Sequence, residues 1–307
     1  MKLYVGLTDR SWFDHLAAMD PPADEINFWR PGGLTNFKAV EPGAPFLFKL
    51  HSPDNVIAGW GYFFQHFKLP VSLAWRAYEQ KNGAVSLSRL RDLIRKHRGT
   101  DEHDPWIGCT ILTSPVFLPR DEWFPVPADW ASNIVSGRTY TSDDTLAAAL
   151  WDAVQQRERI ASPLDDQLAI ALEGPRYGAE FVARARLGQG TFRILVTDAY
   201  NRRCAMTGEK TLPVLEAAHI RSFSEGGPNR TSNGLLLRSD LHTLFDSGYM
   251  TVTPDYHVEV SPRIHEEYNN GKEYYALHGR PLTLPDDPSA RPAREYLEWH
   301  NEKVYSA

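Results

Sequence analysis

The stretch that most limits how this chain can fold runs from residue 212 to residue 247. An apolar run at 212–220 reads as a strand and carries His219 at its end. A Gly/Pro/Asn/Ser loop fills 221–233, a short apolar run follows at 234–237, and 239–247 reads as a helix. Ser239 stands where an N-cap residue belongs, and Gly248 lies just past the helix end. A hairpin through Pro254-Asp255 follows at 249–260, a helix at 191–200 precedes the unit, and 291–300 reads as a terminal helix.

Four polar residues fall at the joints of this unit. His219 ends the first strand, Asn233 closes the loop, and His242 and Asp246 sit four apart on one helix face. A His/Asp pair at that spacing can hold one divalent metal. A neutral histidine on the facing strand can take a proton from water. A metal beside it can stabilise the extra charge on a phosphate and its leaving oxygen. That combination suffices to hydrolyse a phosphodiester. Each residue alone has a plainer reading: a satisfied core histidine, a surface His/Asp hydrogen bond, an Asn-Gly turn. Their occurrence in strand–loop–helix order within 28 residues favours a site.

Charge patterning agrees. The net charge is −6, yet residues 184–238 carry nine Lys and Arg against four acids. Such a basic segment in an acidic chain suits phosphate contact, although a solvated arginine-bearing helix would look the same. The 307 residues suggest about two domains. Eight of nine tryptophans lie at or before Trp151, so composition shifts near 140–185. Breaker residues at Ser162-Pro163 and Glu173-Gly174-Pro175 mark a connection. We therefore expect domains at 1–145 and 184–307 joined by a helical linker at 146–183. Cys109 and Cys204 cannot build a disulfide scaffold or a four-cysteine zinc site, and a reducing cytoplasm is the natural compartment. No apolar run is long enough to span a membrane, and no secretory leader is expected.

The runs Cys204-Ala205-Met206-Thr207-Gly208, Leu215-Glu216-Ala217-Ala218-His219-Ile220, Asn233-Gly234-Leu235 and Leu241-His242 to Asp246-Ser247-Gly248 resemble the HNH endonuclease family. They are most like the branch that fuses this nuclease to modified-DNA readers in type IV restriction systems. The resemblance spans about 184–260 and implies a ββα-metal fold and metal-dependent cleavage of nucleic acid. It gives His219 as general base, Asn233 as the residue that braces the loop, and His242 and Asp246 as metal ligands, so His219, Asn233 and His242 form the expected catalytic set. Many members carry a ligating Asp or His just before the base, where this chain has Ala218. The metal shell then needs Glu216, a water or a DNA oxygen, and a regular strand points Glu216 away from the His219 face. Cys204 lacks the partners of a zinc ribbon and reads as a small buried residue. Mg²⁺ is the expected metal, with Mn²⁺, Ni²⁺ or Zn²⁺ also open to a site with one histidine. Arg202, Arg203, Arg221 and Arg230 are the expected phosphate contacts, with Arg184 and Arg193 nearby.

The N-terminal half reads as short strands with a pair of helices. Strands are expected at 3–7, 46–50, 56–64, 107–112 and 116–117, and helices at 11–18, 72–80 and 86–96. Ser52-Pro53-Asp54-Asn55 turns a hairpin. Tyr4-Val5-Gly6, the Asn27-Phe28-Trp29-Arg30-Pro31-Gly32-Gly33 segment, read as a loop, Phe46-Leu47-Phe48-Lys49 and Ile57-Ala58-Gly59-Trp60 resemble the PUA-like superfamily, which includes the SRA and EVE readers. The expected fold is α+β, a partly closed PUA-like barrel with flanking helices followed by the ββα nuclease. The resemblance implies recognition of an extruded base, a modified cytosine first, in double-stranded DNA. Trp29, Trp60, Tyr62 and Phe64 are candidate stackers, and Asn27, Arg30 and Asn36 candidate edge readers; each aromatic taken alone fits a barrel core as well. Trp29 stands out because Gly32-Gly33 suggests a surface loop. A homodimer would let two sites cut two strands. Two other readings stay open: an HNH toxin or nicking enzyme with an interaction module, and a DNA-binding protein whose nuclease is inactive.

Overall fold

A computed structural model describes residues 2–32, 36–99, 102–141, 144–161 and 187–307, without the side chains of 158–161. The breaker residues near 162–178, most of the expected linker, Gly33, Arg184 and Arg186 lie outside the described residues. The chain divides into two compact units, Met1–Arg186 and Leu187–Ala307. Among the described residues no helix is long and apolar enough to cross a membrane.

The first unit runs Lys2–Thr8 (β1), Arg10–Ala17 (α1), Glu25–Arg30 (β2), Pro45–Leu50 (β3), Val56–Pro70 (β4), Val71–Tyr78 (α2), Leu87–Arg98 (α3), Trp106–Phe117 (β5), Phe124–Pro125 (β6), Gly137–Thr141 (β7) and Thr145–Ala161 (α4). Its sheet has the order β2-β5-β4-β3-β1-β7, with β6 against β4. β1 and β3 are parallel, and the other pairs are antiparallel. β2 and β7 end the strand order, yet Arg30 on β2 donates to Tyr4 Oη on β1 (2.6 Å) and to the Ser136 carbonyl beside β7 (3.0 Å). The sheet thus curls on itself as a partly closed barrel. Register shifts along β4 against β3 and β5 mark where it bends.

Alternation along the strands explains the two cores of this unit. Tyr4, Phe46 and Phe48 face one cluster with Trp12, Phe13, Phe28 and Leu112. Leu3, Val5, Leu47 and Trp60 face the other, which α4 covers with Ala147, Leu150 and Val154. Both faces are buried, so the strands read as apolar runs. Two sequence readings need correction here. The Asn27–Trp29 segment is not loop but part of β2, paired with β5, because Ile26 and Phe28 are buried in the barrel. The two runs expected at 107–112 and 116–117 are one strand, β5.

The second unit runs Gln189–Ala199 (α5), Leu215–His219 (β8), Gly234–Arg238 (β9), Ser239–Asp246 (α6), Met250–Val252 (β10), Val258–Val260 (β11), Arg263–Tyr268 (α7), Lys272–Tyr275 (α8) and Arg294–Lys303 (α9). β8 and β9 pair antiparallel, with His219 opposite Gly234. Leu235, Leu236, Leu237, Leu241 and Phe245 bury this ββα unit against Phe192 and Val196 of α5 and Leu297 of α9. Ser239 is the first helical residue rather than the cap; Arg238 takes the cap position and forks onto Asp240 at 2.7 and 2.6 Å. Cys204 is fully buried in the same core. Trp299 is half-buried under the Arg221 guanidinium, 5.7 Å from its ring centre.

Candidate active site

β8 delivers His219 to the mouth of the 221–233 loop, and two neighbours fix the imidazole. Its ring lies flat on Phe192 of α5, with centroids 3.9 Å apart and planes 12° from parallel. Its Nε2 lies 2.8 Å from Asn229 Oδ1. Asn229 Nδ2 meanwhile donates to the Leu187 carbonyl at 2.6 Å, which orients the amide. The Asn229 oxygen is an acceptor, so Nε2 carries the proton and the basic lone pair sits on Nδ1. Among the described residues Nδ1 makes no hydrogen bond to a protein group. Burial holds the His219 pKa below the ordinary imidazole value, although the Asn229 bond and the Asp246 charge pull the other way. A neutral imidazole with a free Nδ1 is the form a general base needs.

Asn233 is fully buried and bonds only to the loop it closes. Its Oδ1 accepts from the Arg221 amide (2.9 Å), and its Nδ2 donates to the carbonyls of Arg221 (2.9 Å) and Pro228 (3.1 Å). The Ile220 amide donates to the Asn233 carbonyl (3.0 Å), which ties the loop ends together. Gly227 crosses so close that a Cβ there would stand 1.9 Å from the Arg221 carbonyl oxygen. The Asn233 side chain is therefore wholly taken up by the backbone of the loop that follows His219.

α6 presents His242 and Asp246 on one face, with Nε2 to Oδ2 at 3.2 Å. The Nδ1 of His242 lies 2.8 Å from Glu216 Oε2. Glu216 thus meets the helix at the nitrogen of His242 opposite Asp246, and among the described residues no contact joins it to His219. Burial alone would lower the His242 pKa, but the hydrogen bonds to Asp246 and Glu216 more than reverse this and raise it. Both His242 and Asp246 act on the titration of His219, so the three form one electrostatic cluster.

The donor set allows a partial metal site. Glu216 and Asp246 lie at opposite nitrogens of His242, and among the described residues no three His, Cys, Asp or Glu side chains converge on one point. Two donors 3.2 Å apart match a cis edge of an octahedron with bonds near ~2.1 Å, whose edge is about 3 Å. The pair fits a hard cation that keeps water and phosphate oxygens. Ala218 is fully buried and offers nothing.

The expected phosphate contacts divide. Arg203 and Arg230 are exposed. Arg202 is half-buried beside Asp198 at 3.7 Å, and Arg221 is half-buried with its Nε on the Glu225 carbonyl at 2.8 Å.

The expected base pocket is largely corrected. Trp60 is fully buried in the α4-side core, and Phe64 is buried as well. Asn27 is fully buried and donates to Asn82 Oδ1 at 2.8 Å. Trp29 is half-buried on β2 with its indole N–H on the Asn82 carbonyl at 2.8 Å, and Tyr62 packs at the edge of the α4-side core. A cavity of about 190 Å³ opens elsewhere in this unit, lined by Tyr4, Arg30, Asn36, Phe37, His66 and Thr110 among others. Only Arg30 and Asn36 are legible from sequence as its members. The missed residues of both sites, Asn229, Phe192, Phe37 and His66, share no spacing signal with those found.

Residues 204–253 match the family model of the HNH endonucleases. None of the curated proteins compared matches the chain. Among solved structures, the ASCH protein of Zymomonas mobilis, in a single-substitution variant, is 13% identical with a TM-score of 0.33, over 49% of this chain and 98% of its own. The same protein without that substitution is 14% identical with a TM-score of 0.31, over 48% and 94%. A modification-dependent restriction endonuclease, TagI, is 14% identical with a TM-score of 0.31, over 92% of this chain and 76% of its own. At these TM-scores the likenesses are partial.

Proposed function

We propose that this chain is a modification-dependent DNA endonuclease whose second unit hydrolyses phosphodiesters. The observation that carries the reading is His219 kept below the ordinary imidazole pKa by burial, oriented by Phe192 and by Asn229 at Nε2, and within electrostatic reach of the His242–Asp246 pair. The HNH match to residues 204–253 supports it. His219 takes a proton from water at Nδ1 as the water oxygen attacks phosphorus and the bond to the leaving alcohol breaks. Asn233 and Asn229 hold that nitrogen in place. His242 and Asp246 would hold a divalent cation, Mg²⁺ first, and Glu216 keeps the His242 ring turned so that Nε2 faces outward. Such a cation, when bound, supplies positive charge for the phosphate and the leaving oxygen.

For the first unit, the cavity beside Arg30 is the base-accepting site of this reading, with Phe37 to stack and His66, Asn36 and Arg30 at the base edge. Its 190 Å³ corresponds to about six waters of liquid volume, suited to one flat ring rather than a large ligand. The test is cleavage of matched plasmids bearing unmodified, 5-methyl-, 5-hydroxymethyl- or glucosylated cytosine, with Mg²⁺ or Mn²⁺. Cutting of one modified plasmid alone is the expected result. Equal cutting of all four would remove the reader role, and no cutting with either metal would remove the nuclease. His219→Ala abolishes cleavage and leaves DNA binding intact.

A further inference from the structure

α3 carries a charge pattern that the nuclease unit does not account for. Residues 89–98 hold five Lys and Arg against one Asp, while the other residues up to 183 hold thirteen against twenty-two. The helix buries Leu90 and Ile94. At 100° per residue, the opposite half carries Arg89, Arg95 and Lys96 around the single acid Asp92, with Arg91 at its margin. Arg89, Arg95 and Lys96 are exposed, and Arg91 is half-buried. Arg89 and Lys96 stand about 10 Å apart along the axis.

Intramolecular partners absorb little of this charge. Arg95 lies 3.8 Å from Asp92, and His97 lies 3.6 Å from Asp9 on α1's approach. Arg98 donates to the Trp106 carbonyl at 3.1 Å. Asp104, the next described aspartate, is occupied by the amide and hydroxyl of Ser72. Among the described residues Arg89 and Lys96 have no carboxylate within salt-bridge distance. The helix dipole explains cations in the last turn, where Arg95, Lys96 and Arg98 lie beside the Gly99 cap. It does not explain Arg89 and Arg91 near the start, where the dipole repels cations and no acid is present in the first turn. The pattern is a cationic ridge along a whole helix, complementary to a regular row of anions.

We infer that the exposed face of α3 is a docking ridge for the phosphate backbone of duplex DNA, one that positions the first unit without reading sequence. The inference rests on the reading of this chain as a DNA nuclease. It adds a polyanion-binding element in the first unit, whose overall charge is acidic.

The test uses the full chain carrying His219→Ala, so that no DNA is cut, and a labelled 30-bp duplex. Binding is measured from about 50 to 300 mM salt in this parent, in a triple variant with R89Q, R95Q and K96Q, and in one with R89K and R95K. Each lost phosphate contact flattens the log–log salt slope by about 0.9. The triple variant therefore flattens it by up to about 2.7 and binds two to three orders of magnitude more weakly near 0.1 M salt. The lysine variant keeps the parent slope, and thermal melts of all three coincide. An unchanged slope in the triple variant, with the parent binding DNA, overturns the ridge and leaves the nuclease reading standing. A parent that binds no duplex overturns the DNA reading and the ridge with it. A parent that prefers duplex RNA, with the slope change seen on RNA alone, overturns DNA as the partner.

Discussion

Replacing Asn233 with alanine separates a bracing role from a reacting one. The side chain is fully buried and makes three hydrogen bonds at 2.9, 2.9 and 3.1 Å, all to loop backbone. Each is worth about 1 kcal/mol net, and the truncation leaves the Arg221 amide and two carbonyls short of partners. The local cost is therefore about 3 kcal/mol, or roughly two decades in the opening equilibrium of the 221–233 loop. Native-state hydrogen exchange reads this directly. The amides of Ile220, which donates to the Asn233 carbonyl, and Gly227, which donates to the Ser222 carbonyl, exchange about 100-fold faster in N233A. Cleavage falls because the β8 end carrying His219 is no longer pinned. Metal affinity stays near parent, since His242 and Asp246 stand on α6. Loop exchange within a factor of about three of parent, together with lost cleavage, would refute the argument and place Asn233 on the substrate.

Other outcomes follow from the same geometry. Glu216→Gln weakens divalent-metal binding 10–100-fold by isothermal titration in the His219→Ala background, as expected for a carboxylate that orients a ligating imidazole. His219 is held below the ordinary imidazole value by burial, so the acid limb of kcat/KM lies below about pH 6.5, and activity is lost as pH falls through it. His300 is buried against Phe245, accepts from the Thr251 hydroxyl at Nδ1 (2.8 Å), and has its pKa pushed down to about 4. Its folded pKa is depressed, so stability is unaffected by it above about pH 6.5 and falls by about 3 kcal/mol between there and pH 4. His300→Gln flattens that part of the pH dependence in denaturant melts.

Periodicity made the second unit largely readable. A two-stranded ribbon followed by a helix needs apolar residues at few positions, and Leu235–Leu237 and Leu241 supply them without ambiguity. The residues lost to sequence reasoning act through tertiary contact. Phe192 reaches His219 from α5, 27 positions away, and Asn229 sits in a loop whose path has no pattern. Glu216 touches the site only through the Nδ1 of His242, a strand-to-helix contact that spacing along the chain does not give. In the first unit the barrel is buried on both faces, so aromatic core and aromatic pocket carry the same sequence signal. Trp60 and Phe64 fell on the core side of that ambiguity, and Phe37, outside any regular strand, fell on the cavity side.

The Asn229 side chain has a mechanical consequence. One end of its amide sets which nitrogen of His219 is basic, and the other end holds the carbonyl of Leu187, the first residue of the second unit. The chain thus enters this unit on a lever whose far arm is the tautomer of the base. A displacement of Leu187 that withdraws its carbonyl would free Asn229 to turn over and offer its N–H groups to Nε2, which would shift the proton to Nδ1 and remove its lone pair. If His219 is the base, its tautomer follows where the polypeptide arrives, through a single amide.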